Sequence, residues 1–76
     1  SKERILKYLQ LIEKYSLLNK RAVVVADNVL IYENEMKDYL DYVRNSGKYI
    51  SRTTETSLEF TKNVKDALEV SINVEI

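Results

Sequence analysis

The only glycine of the chain, Gly47, stands where the spacing of apolar residues changes from helical to strand-like. Before it, Met36, Leu40 and Val43 recur three and four residues apart, which places them on one face of a helix. After it, residues 49–53 are rich in aromatic and β-branched side chains, which is typical of a strand. A glycine just past a helix commonly takes a left-handed conformation. The sequence therefore predicts a helix that ends before Gly47 and a strand directly after it.

Helical spacing also occupies two stretches before that point. Residues 2–18 are amphipathic and predict one helix. Residues 20–46 fit either one continuous helix, which gives an α-helical hairpin, or two helices joined by a turn. We favour two helices, because the valines at 23–25 are weak helix formers and Asp27-Asn28 is a turn signal. The predicted inward side chains of the first helix are Ile5, Tyr8, Leu9, Ile12 and Tyr15.

Two helices in this stretch give a helix-turn-helix between residues 19 and 46. The apolar run 29–31 is its buried corner, and its second helix begins near Tyr32 or Asn34 and ends at Ser46. The inward side chains of that second helix are Met36, Tyr39, Leu40 and Val43. Among the tyrosines, Tyr8, Tyr15 and Tyr39 are predicted to pack in the core, and Tyr32 and Tyr42 to lie at the surface.

A β-hairpin is predicted after Gly47. Its strands are residues 49–53 and 57–60, and residues 54–56 are a polar turn between them. A short helix over residues 62–68 follows. An alternative starts that helix near Thr54 and removes the hairpin.

The last residues, 70–76, alternate strictly between β-branched and polar side chains. Such alternation is typical of a strand with one buried face, here the face of Val70, Ile72, Val74 and Ile76. The strand joins either the hairpin of its own chain or a second copy. We favour pairing or exchange with a second copy, which gives a homodimer.

Composition limits the chemistry of the chain. With 76 residues it predicts a single domain over 1–76. It has no cysteine and no histidine, which removes disulfides, thiolate metal sites and the usual general base. No apolar run is long enough to span a membrane and no signal peptide is evident, so the cytoplasm is the expected location. The net charge of zero argues against a sequence-blind nucleic-acid coat protein.

No residue pattern indicates an enzyme, a cofactor or a bound metal. Four acids, Glu33, Glu35, Asp38 and Asp41, lie close together in the sequence. We interpret them as a solvated helix face on which basic side chains three and four residues away pair with them.

One stretch carries a family resemblance. It runs from Met36, Tyr39, Leu40 and Val43 through Gly47, Lys48, Tyr49, Ile50, Ser51 and Arg52 to Leu58, Glu59, Phe60 and Thr61. The order of its elements resembles the recognition helix, wing and following helix of small winged-helix regulators, especially archaeal ones. The resemblance covers residues 3–68. Two departures are an acidic recognition helix and a final strand in place of a dimerising helix.

The resemblance implies an α+β winged helix with three helices, a hairpin wing, a short helix and a C-terminal strand. It also implies double-stranded DNA as the partner, with a recognition helix in the major groove. The implied DNA-binding residues are Lys20, Arg21, Asn34, Lys37, Arg44, Lys48 and Arg52. The expected function is a dimeric transcriptional regulator. The alternative is a winged-helix module that binds a protein and not DNA.

Overall fold

A computed structural model of the chain describes residues 2–15, 17–57 and 65–74. These ranges contain two α-helices and three strands. A single 3₁₀ turn, Lys2–Arg4, leads into the first helix. The elements in chain order are α1 (Ile5–Lys14), β1 (Val23–Ala26), α2 (Lys37–Asn45), β2 (Tyr49–Ser57) and β3 (Lys65–Asn73).

The three strands form one antiparallel sheet in the order β1-β3-β2, so that β3 lies in the centre. The register aligns Ile72 of β3 with Val23 on one side and with Ile50 on the other. Because residues directly opposite each other on paired strands point to the same side, these three lie on the same face of the sheet.

We call the sheet face that packs against the helices the inner face and the opposite one the outer face. The inner face carries Val24, Ala26, Tyr49, Ser51, Thr53, Ala67, Glu69, Ser71 and Asn73. The outer face carries Val23, Val25, Ile50, Arg52, Leu68, Val70 and Ile72. The apolar core joins the helices to the inner face, and its buried members are Leu9, Ala26, Val29, Met36, Tyr39, Leu40, Val43, Tyr49 and Ala67.

The helix that ends before Gly47 is confirmed. Gly47 has a φ of +84°, the left-handed conformation expected just past a helix. The four side chains predicted to face inward from this helix region, Met36 to Val43, are all buried. The helix itself begins later than predicted, at Lys37, because residues 29–36 form separate turns.

The predicted winged helix is wrong, because β1 occupies the place of the first helix of the helix-turn-helix. Three consecutive valines suit a strand, where their branched side chains keep their preferred rotamers. A continuous helix over 20–46 is excluded for the same reason. Asn28 does lie in a turn, with a φ of +57°, but that turn follows a strand and does not join two helices.

The predicted hairpin turn is also wrong. Residues 54–56 continue β2, where Thr54 pairs with Leu68 and Thr56 pairs with Asp66. The threonines are β-branched and extend the strand. The predicted helix over residues 62–68 is wrong over 65–68, because these residues belong to β3. The alternative helix starting near Thr54 is also wrong, because Thr54 belongs to β2. The predicted return strand beyond Ser57 and residues 62–64 of that helix lie outside the described residues.

The predicted C-terminal strand is confirmed over residues 70–73, which belong to a strand that begins earlier, at Lys65, and ends at Asn73. Residues 75–76 of the prediction lie outside the described residues, and the predicted faces are reversed. Ser71 and Asn73 are buried on the inner face, whereas Ile72 and Val74 are exposed. Alternation fixes the period of a strand but not which face turns inward. Both sides of β3 are paired within the chain.

Helix α1 buries less than predicted. Leu9 is its one fully buried side chain, while Tyr8, Ile12 and Tyr15 are exposed. The prediction of core packing is therefore wrong for Tyr8 and Tyr15 and confirmed for Tyr39. Neither described helix is long and apolar enough to cross a membrane.

Candidate functional site

Three of the predicted DNA-binding residues line one shallow cavity beside α2. Asn34, Lys37 and Arg44 surround this space of 410 Å³ together with Glu33 and Asp41. The two acids offset the two bases. The cavity is therefore not a concentrated positive surface of the kind that holds phosphates.

The other predicted DNA-binding residues lie away from that cavity. Arg21 and Lys48 each bond to the end of β3: the Arg21 N–H donates to Asn73 O (2.8 Å), and Lys48 O accepts from Val74 N–H (2.9 Å). Lys20 precedes Arg21 in the same turn. Arg52 lies on the outer face of β2, so the seven residues do not form one surface.

A buried carboxylate, Glu69, organises the inner face. Arg44 reaches it from α2 with two bonds, Nε to Oε2 (3.1 Å) and Nη2 to Oε1 (3.0 Å). The hydroxyls of Ser51 and Thr53 each donate to it at 2.6 Å. Burial alone raises the pKa of Glu69, but the hydrogen bonds from Arg44, Ser51 and Thr53 outweigh it and hold that pKa below its usual range.

The hydroxyl groups beside Glu69 extend this polar layer. Ser51 and Ser71 share a hydrogen bond of 2.7 Å across the two strands. The Tyr39 hydroxyl is buried next to Ser71. Burial raises the pKa of Tyr39. The layer joins α2, β2 and β3 through side chains that are far apart in sequence.

A second buried carboxylate, Asp66, holds the turn that follows β1. Asn28 Nδ2 donates to Asp66 Oδ2 (2.8 Å), and Leu30 N–H donates to Oδ1 (3.1 Å). The Ala67 N–H also donates to Oδ1 (2.8 Å). Burial raises the pKa of Asp66, but these donors outweigh it and the pKa lies below its usual value. The turn is thereby fixed although Asn28 has a positive φ, a conformation that a non-glycine residue adopts at a cost.

An open cleft lies beside this turn. Its volume is 580 Å³ and its lining residues are Lys2, Glu3, Ile5, Tyr32 and Glu35. The Lys2 ammonium lies 5.5 Å from the centre of the Tyr32 ring and 3.1 Å from Asp27 Oδ1. The cleft thus combines an aromatic face, a cation and the carboxylates of Glu3 and Glu35. It is the candidate functional site.

A third cluster connects both helices to β2. Glu13 of α1 accepts hydrogen bonds from Tyr42 (2.6 Å) and Tyr49 (2.5 Å). Burial and the hydrogen bond to Glu13 raise the pKa of both tyrosines. The Lys48 ammonium lies over the Tyr42 ring at 5.5 Å. Tyr42, predicted at the surface, is half-buried here.

Asp66 and Glu69 were not predicted as structural residues from the sequence. Their only sequence signal is a pair of acids among small and apolar residues in an alternating stretch. The partner of Glu69 is 25 residues away, so no local pattern joins them. Among the described residues, no three His, Cys, Asp or Glu side chains are grouped to hold a metal ion.

No family model matches the chain. The chain is similar to Catechol O-methyltransferase B of Danio rerio, with 41% identity over 71 residues. The match takes in 93% of this chain but 26% of that protein, so the chain spans about a quarter of the relative's length.

Proposed function

We propose that the chain is part of a longer O-methyltransferase that acts on catechols. The observation that carries the proposal is the 41% identity to the catechol O-methyltransferase, which extends over 93% of the chain. The segment would contribute one end of the sheet and the cleft beside the turn after β1. The longer protein would supply the site of the methyl donor.

The cleft offers groups that suit a ring with two hydroxyls. In such a transfer the phenolic oxygen attacks the donated methyl group, the bond from the methyl group to the donor breaks, and the phenolic proton leaves to a base. The Tyr32 ring provides a face against which an aromatic substrate can stack. Carboxylates such as Glu35 accept hydrogen bonds from phenolic hydroxyls. Their part in the proposal is to hold and orient the substrate.

DNA binding by a homodimer and binding of a protein partner both stay predictions. The helix-turn-helix on which DNA binding rested is replaced by β1. Arg44, one of its predicted contacts, is already paired with Glu69. These two features favour the methyltransferase over the regulator.

A chimera tests the proposed function. The matched segment of the zebrafish enzyme is replaced by this chain, and methyl transfer to catechol from labelled S-adenosylmethionine is measured. We expect the chimera to retain transfer within about tenfold of the zebrafish enzyme, a barrier difference of about 1.4 kcal/mol. The matched control is the same chimera with Tyr32→Ala, which should lose activity while remaining folded. A folded chimera without methyl transfer contradicts the proposal.

A titration of fluorescent mixed-sequence duplex DNA with the unmodified chain, at two salt concentrations, tests the regulator. Absence of binding at low salt ends the DNA prediction. Binding that Lys37→Ala and Arg52→Ala leave unchanged contradicts the predicted contacts but not DNA binding itself.

A further inference from the structure

The outer face of the sheet is an apolar surface open to solvent. Val23, Ile72 and Ile50 form one row across all three strands, with exposed fractions of 58%, 38% and 65%. Val25 of β1 is 56% exposed and pairs with Val70 in the next row of that face. Contiguous exposed apolar side chains of this kind mark an interaction surface.

The sequence of β1 is that of a strand covered on both faces. All four of its residues, Val23–Ala26, are apolar. A strand with one solvated face alternates apolar and polar residues, whereas one inside a sheet covered on both faces is continuously apolar. Within the part of the chain that the structure describes, only the inner face of β1 is covered. The exposed face therefore has the composition of a buried one.

Strand β1 is also at an edge of the described sheet, because it pairs with β3 alone. An exposed apolar edge strand attracts a further strand through its unpaired backbone groups. A groove of 260 Å³ runs along this side, between α1 and β1, and Tyr8, Ile12 and Val25 are among its lining residues. The apolar surface thus continues from the outer face around the edge to α1.

We propose that the outer face and the β1 edge are covered by the remaining part of a longer chain, which adds a strand beside β1 and an apolar helix face over Val23, Ile50 and Ile72. This inference rests on the part of the proposed function that places the chain in a longer protein. About three quarters of the relative's length lies outside the match, which is ample for such a layer. A second copy is less suited, because β3, the strand predicted to pair between copies, is already paired on both sides.

Cysteine labelling tests this surface, since the chain contains no cysteine of its own. Val25→Cys and Ile50→Cys place a thiol on the outer face, and Lys37→Cys places the matched control at an exposed position of α2. Each variant reacts with a maleimide as the chain alone and within the zebrafish chimera. Mass spectrometry of peptides locates the label, and light scattering gives the mass of each species.

For the chain alone, we expect light scattering to give the mass of a monomer, and we expect similar labelling rates at all three positions. In the chimera, labelling should fall by at least about 100-fold at Val25 and Ile50, because reaction then needs local opening, and should persist at Lys37. Equal rates at all three positions in a folded chimera overturn the inference. A dimer of the chain alone in which Val25 and Ile50 are protected overturns it in favour of a second copy.

A chimera that does not fold is replaced by the chain mixed with the separately produced remainder of the zebrafish enzyme, where unchanged labelling at Val25 and Ile50 also overturns the inference. The outcome is independent of activity. An inactive chimera with a protected outer face contradicts the proposed function but supports the inference that the outer face is covered. An active chimera with a reactive outer face contradicts that inference and leaves the proposed function standing.

Discussion

The exposure of the two sheet faces is the reverse of what their composition would predict. The inner face contains Glu69, Ser51 and Ser71, yet it is buried beneath the helices. The outer face contains Val23, Ile50 and Ile72, yet it meets solvent. The inner face can be buried because Arg44 and the neighbouring hydroxyls satisfy its charge. The difference indicates that the hydrophobic pattern of the chain belongs to a larger interior than its own helices provide.

The largest effect is expected at the inner face. Glu69→Ala leaves the donors of Arg44, Ser51 and Thr53 without their shared acceptor. Because the carboxylate is fully buried while Arg44 is partly exposed, we expect a loss of about 3 kcal/mol in the free energy of unfolding, measured by urea denaturation. Arg52→Ala, an exposed arginine on the outer face, is the control and should change little. Equal midpoints for both variants contradict the role given to Glu69.

A smaller loss is expected at the turn after β1. Asp66→Asn keeps the size of the side chain but replaces one acceptor oxygen by a donor that faces N–H groups. We expect a loss of about 2 kcal/mol in the free energy of unfolding. Amide hydrogen exchange at Leu30 should also accelerate, and unchanged exchange there argues against a clamp at Asp66.

The positive φ of Asn28 allows a finer comparison at the same turn. Asn28→Ala and Asn28→Gly both remove the hydrogen bond to Asp66, but glycine adopts this backbone conformation without strain. We expect the alanine variant to be less stable than the glycine variant by about 1 kcal/mol in thermal or urea unfolding. The opposite order is incompatible with the observed backbone conformation.

Acid should weaken the two buried carboxylate clusters, the one around Glu69 and the one around Asp66. The pKa values of Glu69 and Asp66 are lowered in the folded state, so their contribution to stability is complete above the ordinary values of 4.5 and 3.8 and is lost as the pH falls through the folded values. Urea midpoints measured from pH 7 downward should therefore decline in this acid range. In Glu69→Gln the decline should be shallower, and an unchanged slope tells against a lowered pKa of Glu69.

The elements set by local signals could be predicted from the sequence, whereas the orientation of the sheet faces could not. Gly47 and the spacing of Met36 to Val43 located α2 because both signals act within a few residues. The alternation after Val70 located β3 but not its orientation, which depends on a pairing between Glu69 and Arg44 across 25 residues. The valines of β1 were misassigned because the surrounding apolar spacing is also compatible with a helix.

The polar clusters around Asp66 and Glu13 could not be predicted for a related reason. Asp66 meets Asn28 across 38 residues, and Tyr49 meets Glu13 across 36. Such contacts are set by the order of strands in the sheet, which no local pattern reports. The Asp27-Asn28 turn signal was correct as a turn, but the buried carboxylate that holds the turn was missed.

The most direct test of the central claim compares Ile50→Thr in two settings, since threonine keeps the β-branching of isoleucine. In the chain alone, where Ile50 is 65% exposed, the free energy of urea unfolding should change by less than about 1 kcal/mol. In the zebrafish chimera, where the outer face is expected to be covered, the loss should reach about 2 kcal/mol or more. The same small change in both settings would contradict the claim that this face belongs to the interior of a longer protein.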